Sequence, residues 1–250
     1  MNESGRAERV LVVMPAHNEA GRIGAVIRGV RLMLPMAAVV VVNDASTDTT
    51  AHEAKAEGAI VLSHAVNMGY GASLETAFLF AEEEDYDAVL QMDADGQHLP
   101  GELAALLAPL RAGEADVVIG SRYSGGGGYR TPVIRRVGQL FFGGVLLVLT
   151  QRWFTDPTSG FQALNRRAVR LFSSGVFPCD YPDADVLLMA HLAGLRLREV
   201  PVKMAQRSGG VSLHAGWKPL YYGIKMLLSV FVVMLNAPVW RGWRERLGPV

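Results

Sequence analysis

The chain has 250 residues, half of them apolar, with 24 basic and 24 acidic side chains, 27 glycines and a single cysteine. That length and apolar content suit one well-filled α/β domain or two small ones and exclude a disordered chain. The zero formal charge argues against nucleic acid as a partner, and a lone Cys179 excludes an internal disulfide or a thiolate metal cluster.

Residues 1–8 are polar and read as a disordered start, and the first apolar run, Val10 to Met14, is too short for the core of a secretory signal. From there short β-branched runs alternate with helical stretches, the pattern of a mostly parallel sheet covered by helices. Strands are expected at Val10 to Met14, Val39 to Asn43, Ala59 to Ser63, Ala88 to Met92 and Val117 to Gly120. Helices fit between them over Ala20 to Leu34, Asp48 to Glu57, Tyr70 to Glu83 and Gly101 to Arg111. In such a sheet ligands bind beyond the carboxyl ends of the strands, so the loops there are the first place to seek chemistry.

After the fifth strand, Gly125 to Gly128 read as a mobile loop, either a linker or a gate over a substrate. An apolar helix from Val133 to about Trp153 follows, then a turn at Asp156 to Gly160, a helix from Asp183 to Ala193 and a strand near Leu197 to Met204. No acidic residue separates Asp116 from Asp156, whereas Arg122, Arg130, Arg135, Arg136 and Arg152 lie between them. A second stretch, Glu199 to Glu245, is equally free of acids and holds Lys203, Arg207, Lys218 and Lys225. Cationic segments rich in large apolar residues suit an anionic ligand beside a greasy one, such as a lipid phosphate.

Trp217 to Trp240 is long enough to cross a bilayer as one straight helix. Its polar residues Lys218, Lys225, Ser229 and Asn236 fall on one narrow stripe, with Trp217, Tyr221 and Tyr222 at one end and Trp240 and Trp243 at the other. Three readings stand: a helix lying in the membrane interface, a spanning helix whose stripe faces a partner, and a plain core helix.

Asp93-Ala94-Asp95-Gly96-Gln97-His98 directly follows the fourth strand. Two carboxylates so placed cannot both be desolvated without a counter-charge, and oxygen ligands from Asp93, Asp95 and Gln97 suit Mg²⁺ or Mn²⁺ with room left for phosphate oxygens. An acidic turn that caps the next helix is the plainer alternative. The other strand ends carry Pro15-Ala16-His17-Asn18-Glu19, Asn43-Asp44-Ala45-Ser46-Thr47-Asp48 and Gly120-Ser121-Arg122, and Asn67-Met68-Gly69-Tyr70-Gly71 opens the third helix.

In order and spacing these motifs, with Asp156-Pro157-Thr158-Ser159-Gly160-Phe161 and Arg207-Ser208-Gly209-Gly210-Val211-Ser212, resemble the family 2 glycosyltransferases of GT-A fold. The likeness is strongest to the branch of dolichyl-phosphate mannosyltransferases and bacterial polyprenyl-phosphate glycosyltransferases and covers residues 9–215, leaving 216–250 as a membrane-associated helix and tail. It implies that Pro15, His17 and Glu19 line a nucleotide sugar, that Asp44 holds its base or ribose with Val42 beside it, and that Asp93, Ala94 and Asp95, with Gln97, present the cation to the diphosphate. Many members of the branch carry a tyrosine where His17 stands.

The resemblance also implies that Arg207 closes over the donor phosphates, with Asp156 on the acceptor side. A sugar hydroxyl as acceptor must lose a proton, which would make Asp156 a general base. A phosphate acceptor is already anionic and needs cations instead, for which Arg122 and Arg130 are the first candidates, with Arg135 and Arg136 in reserve and Ser212 beside them. The expected activity is an inverting transfer from GDP-mannose, UDP-glucose or a similar donor to a polyprenyl phosphate at the cytosolic membrane face. An end at Val250 fits peripheral attachment or a small membrane partner protein. The rivals are the same fold with a hydroxyl acceptor, and a non-catalytic nucleotide-binding subunit.

Overall fold

The valine-rich runs form the middle of a seven-stranded sheet with strand order β3-β2-β1-β4-β6-β5-β7. The computed structural model describes residues 6–125, 133–178, 182–205 and 218–248. The strands are β1 (Val10–Ala16), β2 (Ala38–Asn43), β3 (Ile60–Ser63), β4 (Ala88–Gln91), β5 (Val117–Ser121), β6 (Gln162–Asn165) and β7 (Leu197–Pro201). The helices are α1 (Ile23–Met33), α2 (Thr50–Ala56), α3 (Tyr70–Glu83), α4 (Leu103–Arg111), α5 (Val133–Thr150), α6 (Arg166–Phe172), α7 (Ala184–Leu192), α8 (Lys218–Leu235) and α9 (Ala237–Arg246). Arg6 and Glu8, expected in a disordered start, are tied down by Asp85 at 2.7 Å and Arg111 at 2.7 Å.

Every residue of β1 is buried, because helices cover both faces of the sheet, and this is why its sequence is a continuous apolar run rather than an alternating one. Leu11, Val13, Val40 and Val42 point to one face, against Leu74 and Phe78 of α3, Phe172 of α6 and Leu188 of α7. Val12, Met14, Val39 and Val41 point to the other, against Ile23, Ile27 and Val30 of α1 and Leu103 and Leu106 of α4. Each such side chain contributes about 1.5–3 kcal/mol over leaving it in water. β1 lies between β2 and β4, both parallel to it, so the strand order reverses there and opens a crevice at the carboxyl ends of β1 and β4.

One strand escaped the sequence reading. Gln162–Asn165 forms β6, antiparallel to both β4 and β5, while the other pairings between these strands are parallel. The far edge of this region is held by Asp116, wholly buried, which accepts from Arg196 Nη2 at 3.0 Å, Asn165 Nδ2 at 2.7 Å and Arg167 Nη1 at 3.2 Å. Burial alone would push its carboxyl up, but the hydrogen bonds from Arg196 and Asn165 and the Arg167 charge outweigh it and hold the group below the usual carboxylate range. Its stabilisation is therefore complete above the unfolded value near ~3.9 and is lost as pH falls through the lower folded value. Asp116→Asn is expected to lower the urea midpoint at pH 7 and to shrink the wild type's fall in stability from pH 5 to pH 3, as measured by urea titrations at the three pH values.

The expected single helix from Trp217 to Trp240 is corrected to two, α8 and α9, bent by 62°. Pro238 lies in the first turn of α9, where its missing N–H is harmless, whereas a continued helix would set its ring against a carbonyl four residues back. The Trp240 indole N–H donates to the Val233 carbonyl at 3.0 Å and so occupies an acceptor that the bend leaves open. Met226, Val230 and Val233 pack into the core, and Ser229 donates to buried Asp185 of α7. The polar stripe thus turns partly inward, while Ile224, Leu228, Phe231 and Leu235 face outward. No single helix among the described residues is long and apolar enough to cross a membrane, although the bent pair from Gly223 onward passes by length and composition together. Cys179, Gly126 to Gly128, Trp217 and the side chains of Lys218, Tyr221 and Tyr222 lie outside the described residues.

Candidate active site

The loops leaving β1 and β2 interlock. Asn18 and Ala45 adopt left-handed backbone angles, φ 56° and 52°, and the Asn18 amide donates to Ser46 Oγ at 3.0 Å while Asn18 Oδ1 accepts from Thr47 N at 2.9 Å. His17 is exposed at the rim, its Nδ1 within 2.7 Å of the Asp44 carbonyl oxygen. Glu19 pairs with Arg22 at 2.9 Å. Asp44 is buried, with Oδ1 within 2.8 Å of His64 Nδ1 and accepting from Met68 N, and Oδ2 accepting from Gly69 N at 2.9 Å. Burial pushes this carboxyl up, but the two amides and the histidine prevail and keep it below the ordinary range. Asp44 thus shapes the 67–69 loop and the start of α3, and Val42 is wholly buried in the core beneath it.

Across the crevice, Asp93 and Asp95 follow β4. Asp93 Oδ1 accepts from the Tyr70 hydroxyl at 3.0 Å, and its backbone N–H donates to His98 Nδ1 at 2.9 Å. Asp95 Oδ1 accepts from Gln97 N at 2.9 Å, and its other oxygen accepts from the Gln97 side-chain amide. The polar contacts of both carboxylates are to Tyr70, His98 and Gln97, and neither meets a lysine or arginine among the described residues. His98 is buried, stacked on Phe161 at 4.7 Å, and burial pushes its pKa down against the pull of Asp93 and Asp95, which keeps the ring neutral. With Nδ1 accepting, the neutral ring carries its proton on Nε2. Ala94 is buried between the two acids.

A second polar group lies at the ends of β5 and β7. Asp156 is wholly buried and accepts from Arg122 Nε at 2.6 Å, Nη2 at 2.7 Å and its backbone N at 3.1 Å. Glu199 of β7 fixes the same turn by accepting from Thr155 N and Asp156 N, each at 2.8 Å, and burial pushes its carboxyl up despite those amides. The Arg122 and Arg136 guanidinium carbons lie 5.6 and 4.3 Å from the centre of the Tyr123 ring. Arg136 Nη1 and Gln139 Oε1 are buried with no hydrogen-bond partner among the described residues.

Residues 11–172 match the family model described as Glycosyl transferase family 2. The chain belongs to that family. The glycosyltransferase is 32% identical over 251 residues, 96% of its length and 99% of the relative's, to an undecaprenyl-phosphate mannosyltransferase of Micrococcus luteus. It is 32% identical over 226 residues to a polyprenol monophosphomannose synthase of Mycolicibacterium smegmatis, covering 84% of this chain and 82% of that one. A solved glucosyl-3-phosphoglycerate synthase of Mycobacterium tuberculosis, in complex with Mn²⁺, UDP-glucose and phosphoglyceric acid, superposes with a TM-score of 0.69 at 22% identity over 91% of this chain and 80% of that one. The fold is therefore the GT-A type that the motifs implied.

The glycosyltransferase fold brings Pro15, His17, Asp44, Asp93, Ala94 and Asp95 to neighbouring strand ends, as the parallel order of β2, β1 and β4 requires. It couples Arg122 to Asp156 rather than presenting two separate groups. Arg130, Arg207 and Ser212 lie outside the described residues, as does the side chain of Arg135. Ala205, two positions before Arg207, donates its N–H to the Gln97 carbonyl at 2.9 Å, and Met204 bridges His98. Sequence reasoning missed Glu199 and Gln139, which reach Asp156 from 43 and 17 residues away, Gln139 donating its side-chain Nε2 to Asp156 Oδ1 at 3.4 Å. Tyr70 stood inside a quoted motif, but no local pattern there reveals its contact with Asp93.

Proposed function

We propose that this glycosyltransferase moves a sugar from a nucleotide diphosphate donor to a polyprenyl phosphate, with inversion, at the cytosolic face of a membrane. The observation that carries the choice of acceptor is the burial of Asp156 against Arg122. The carboxylate that a hydroxyl acceptor would use as base is wholly enclosed and bonded to a guanidinium, which favours an acceptor that arrives already ionised. Both full-length relatives are named for transfer to such lipids. The outward apolar stripe of α8 suits a lipid surface.

In this reading the phosphate oxygen attacks the anomeric carbon as the bond to the nucleoside diphosphate breaks. Arg136, whose buried Nη1 lacks a partner among the described residues, meets the acceptor phosphate, with Arg122 behind it and Arg130 and Ser212 as further contacts. Asp93 and Asp95 fit a Mg²⁺ or Mn²⁺ ion because they are two hard oxygen donors without a lysine or arginine partner among the described residues. No group of three His, Cys, Asp or Glu side chains there is placed to hold an ion alone, so oxygens of the donor and water would complete the set. When bound, the cation supplies Lewis-acid charge to the leaving diphosphate. Arg207 is assigned to the same phosphates, since its segment departs from Ala205 on the Gln97 carbonyl.

The test is transfer of labelled sugar into organic-extractable lipid from GDP-mannose, UDP-glucose and UDP-N-acetylglucosamine, offered separately with a polyprenyl phosphate. Label in the lipid, lost on chelation, supports the reading. Donor turnover only with a hydroxyl acceptor rejects it. Arg136→Ala is expected to raise the KM for the lipid about tenfold or more, the worth of one charge-assisted hydrogen bond, while the donor KM stays within about twofold; the reverse pattern would move Arg136 to the donor side.

A further inference from the structure

Tyr70 opens α3 directly after Gly69, whose φ of 92° is a glycine conformation, and the preceding loop is fixed by the Asp44 carboxylate. Its hydroxyl accepts from Gln91 Nε2 at 3.2 Å and donates to Asp93 Oδ1 at 3.0 Å. The hydroxyl also lies hard against the backbone of the Asp156 to Phe161 turn. A Cβ placed on Gly160 would come within 2.7 Å of the Tyr70 oxygen, but no closer than 3.6 Å to Gln91 Nε2 and 3.8 Å to Asp93 Oδ1.

We propose that Tyr70 is a positioning residue that holds Asp93 by its Oδ1 oxygen and turns its Oδ2 oxygen to a divalent cation, and that Gly160 is glycine to make room for that hydroxyl. Asp93 is gripped twice, by Tyr70 at its side chain and by His98 at its backbone. Oδ2 accepts no hydrogen bond among the described residues and is 3.7 Å from His98 Nε2, outside bonding reach. Outer partners of a ligating carboxylate fix its orientation, and their loss commonly lowers metal affinity about 10–100-fold. The inference rests on the cation reading above and adds to it the source of the geometry.

The experiment is Mn²⁺ binding, followed by the EPR signal of free Mn²⁺ with GDP or UDP present, in the wild type, Tyr70→Phe, Gly160→Ala and the double variant. Tyr70→Phe is expected to weaken Mn²⁺ binding about tenfold or more, with a thermal midpoint a few degrees lower because buried Gln91 Nε2 loses its acceptor, and Gly160→Ala to weaken it similarly by displacing the hydroxyl. In the Tyr70→Phe background Gly160→Ala should add almost nothing, because the atom that it strikes is gone. Mn²⁺ affinity of Tyr70→Phe within twofold of wild type, or fully additive losses in the double variant, overturns the inference. A wild type that holds Mn²⁺ normally in that case leaves the cation reading standing; a wild type that holds none with either nucleotide overturns both.

Discussion

Asp95→Asn is expected to lower turnover by about a hundredfold to a thousandfold, the worth of roughly 3–4 kcal/mol of charge stabilisation at a leaving diphosphate. The proposal behind it is that Asp95 and Asp93 are the chain's share of a cation site. Asp95 accepts only from Gln97 among the described residues, so the substitution leaves the core untouched and the thermal midpoint should barely move. Initial rates at saturating donor and lipid, with Mn²⁺ varied, provide the measurement. Activity within threefold of wild type at every Mn²⁺ concentration would end the cation assignment, while a loss cured by excess Mn²⁺ would show that Asp95 binds the ion without being needed to orient it.

Asp156→Ala is expected to act on the fold first. It strands the Arg122 guanidinium in a buried place, and breaking such a pair costs about 3–5 kcal/mol, which for a chain of this size corresponds to a thermal midpoint lower by about 10 °C. Calorimetry of Asp156→Ala and of Arg122→Ala should give comparable losses, because each leaves its partner's charge uncompensated. Asp156→Asn separates the two acceptor chemistries. Assayed below its own midpoint, it should keep a substantial part of the activity if the acceptor is a phosphate, and almost none if Asp156 must take a proton from a hydroxyl. A midpoint shift under 2 °C for Asp156→Ala would contradict the burial argument.

The long parallel strands were legible because Val10 to Met14 and Val39 to Val42 are continuous apolar runs that only a sheet covered on both faces can bury. The strand-end motifs were legible for a related reason: a polar cluster just past a buried strand has few other places to be. β6 was not legible, since Gln162–Asn165 has four residues, no alternation and a helix directly behind it. Its conformation comes from β4 and β5 on either side, which no local window contains. The same holds for the Arg122–Asp156 pair, whose members are 34 residues apart, and for Glu199, which is 43 residues from the turn that it fixes. The bend before α9 had a local signal in Pro238, but the apolar run across it concealed the break.

The inserted strand also sets a length. Because β6 runs against its neighbours, the Asp156 to Phe161 turn enters the sheet at the edge where β4 and β5 leave it, so three loops crowd one rim. Strands in register are about 4.8 Å apart, so β4 and β5 are held about 10 Å apart by the one strand between them. Asp93 follows the first and Arg122 the second. On the proposed reading, backbone hydrogen bonding rather than side-chain choice would act as a ruler between the donor-side and acceptor-side groups, holding two mutually repelling anions a fixed span apart while a sugar passes between them.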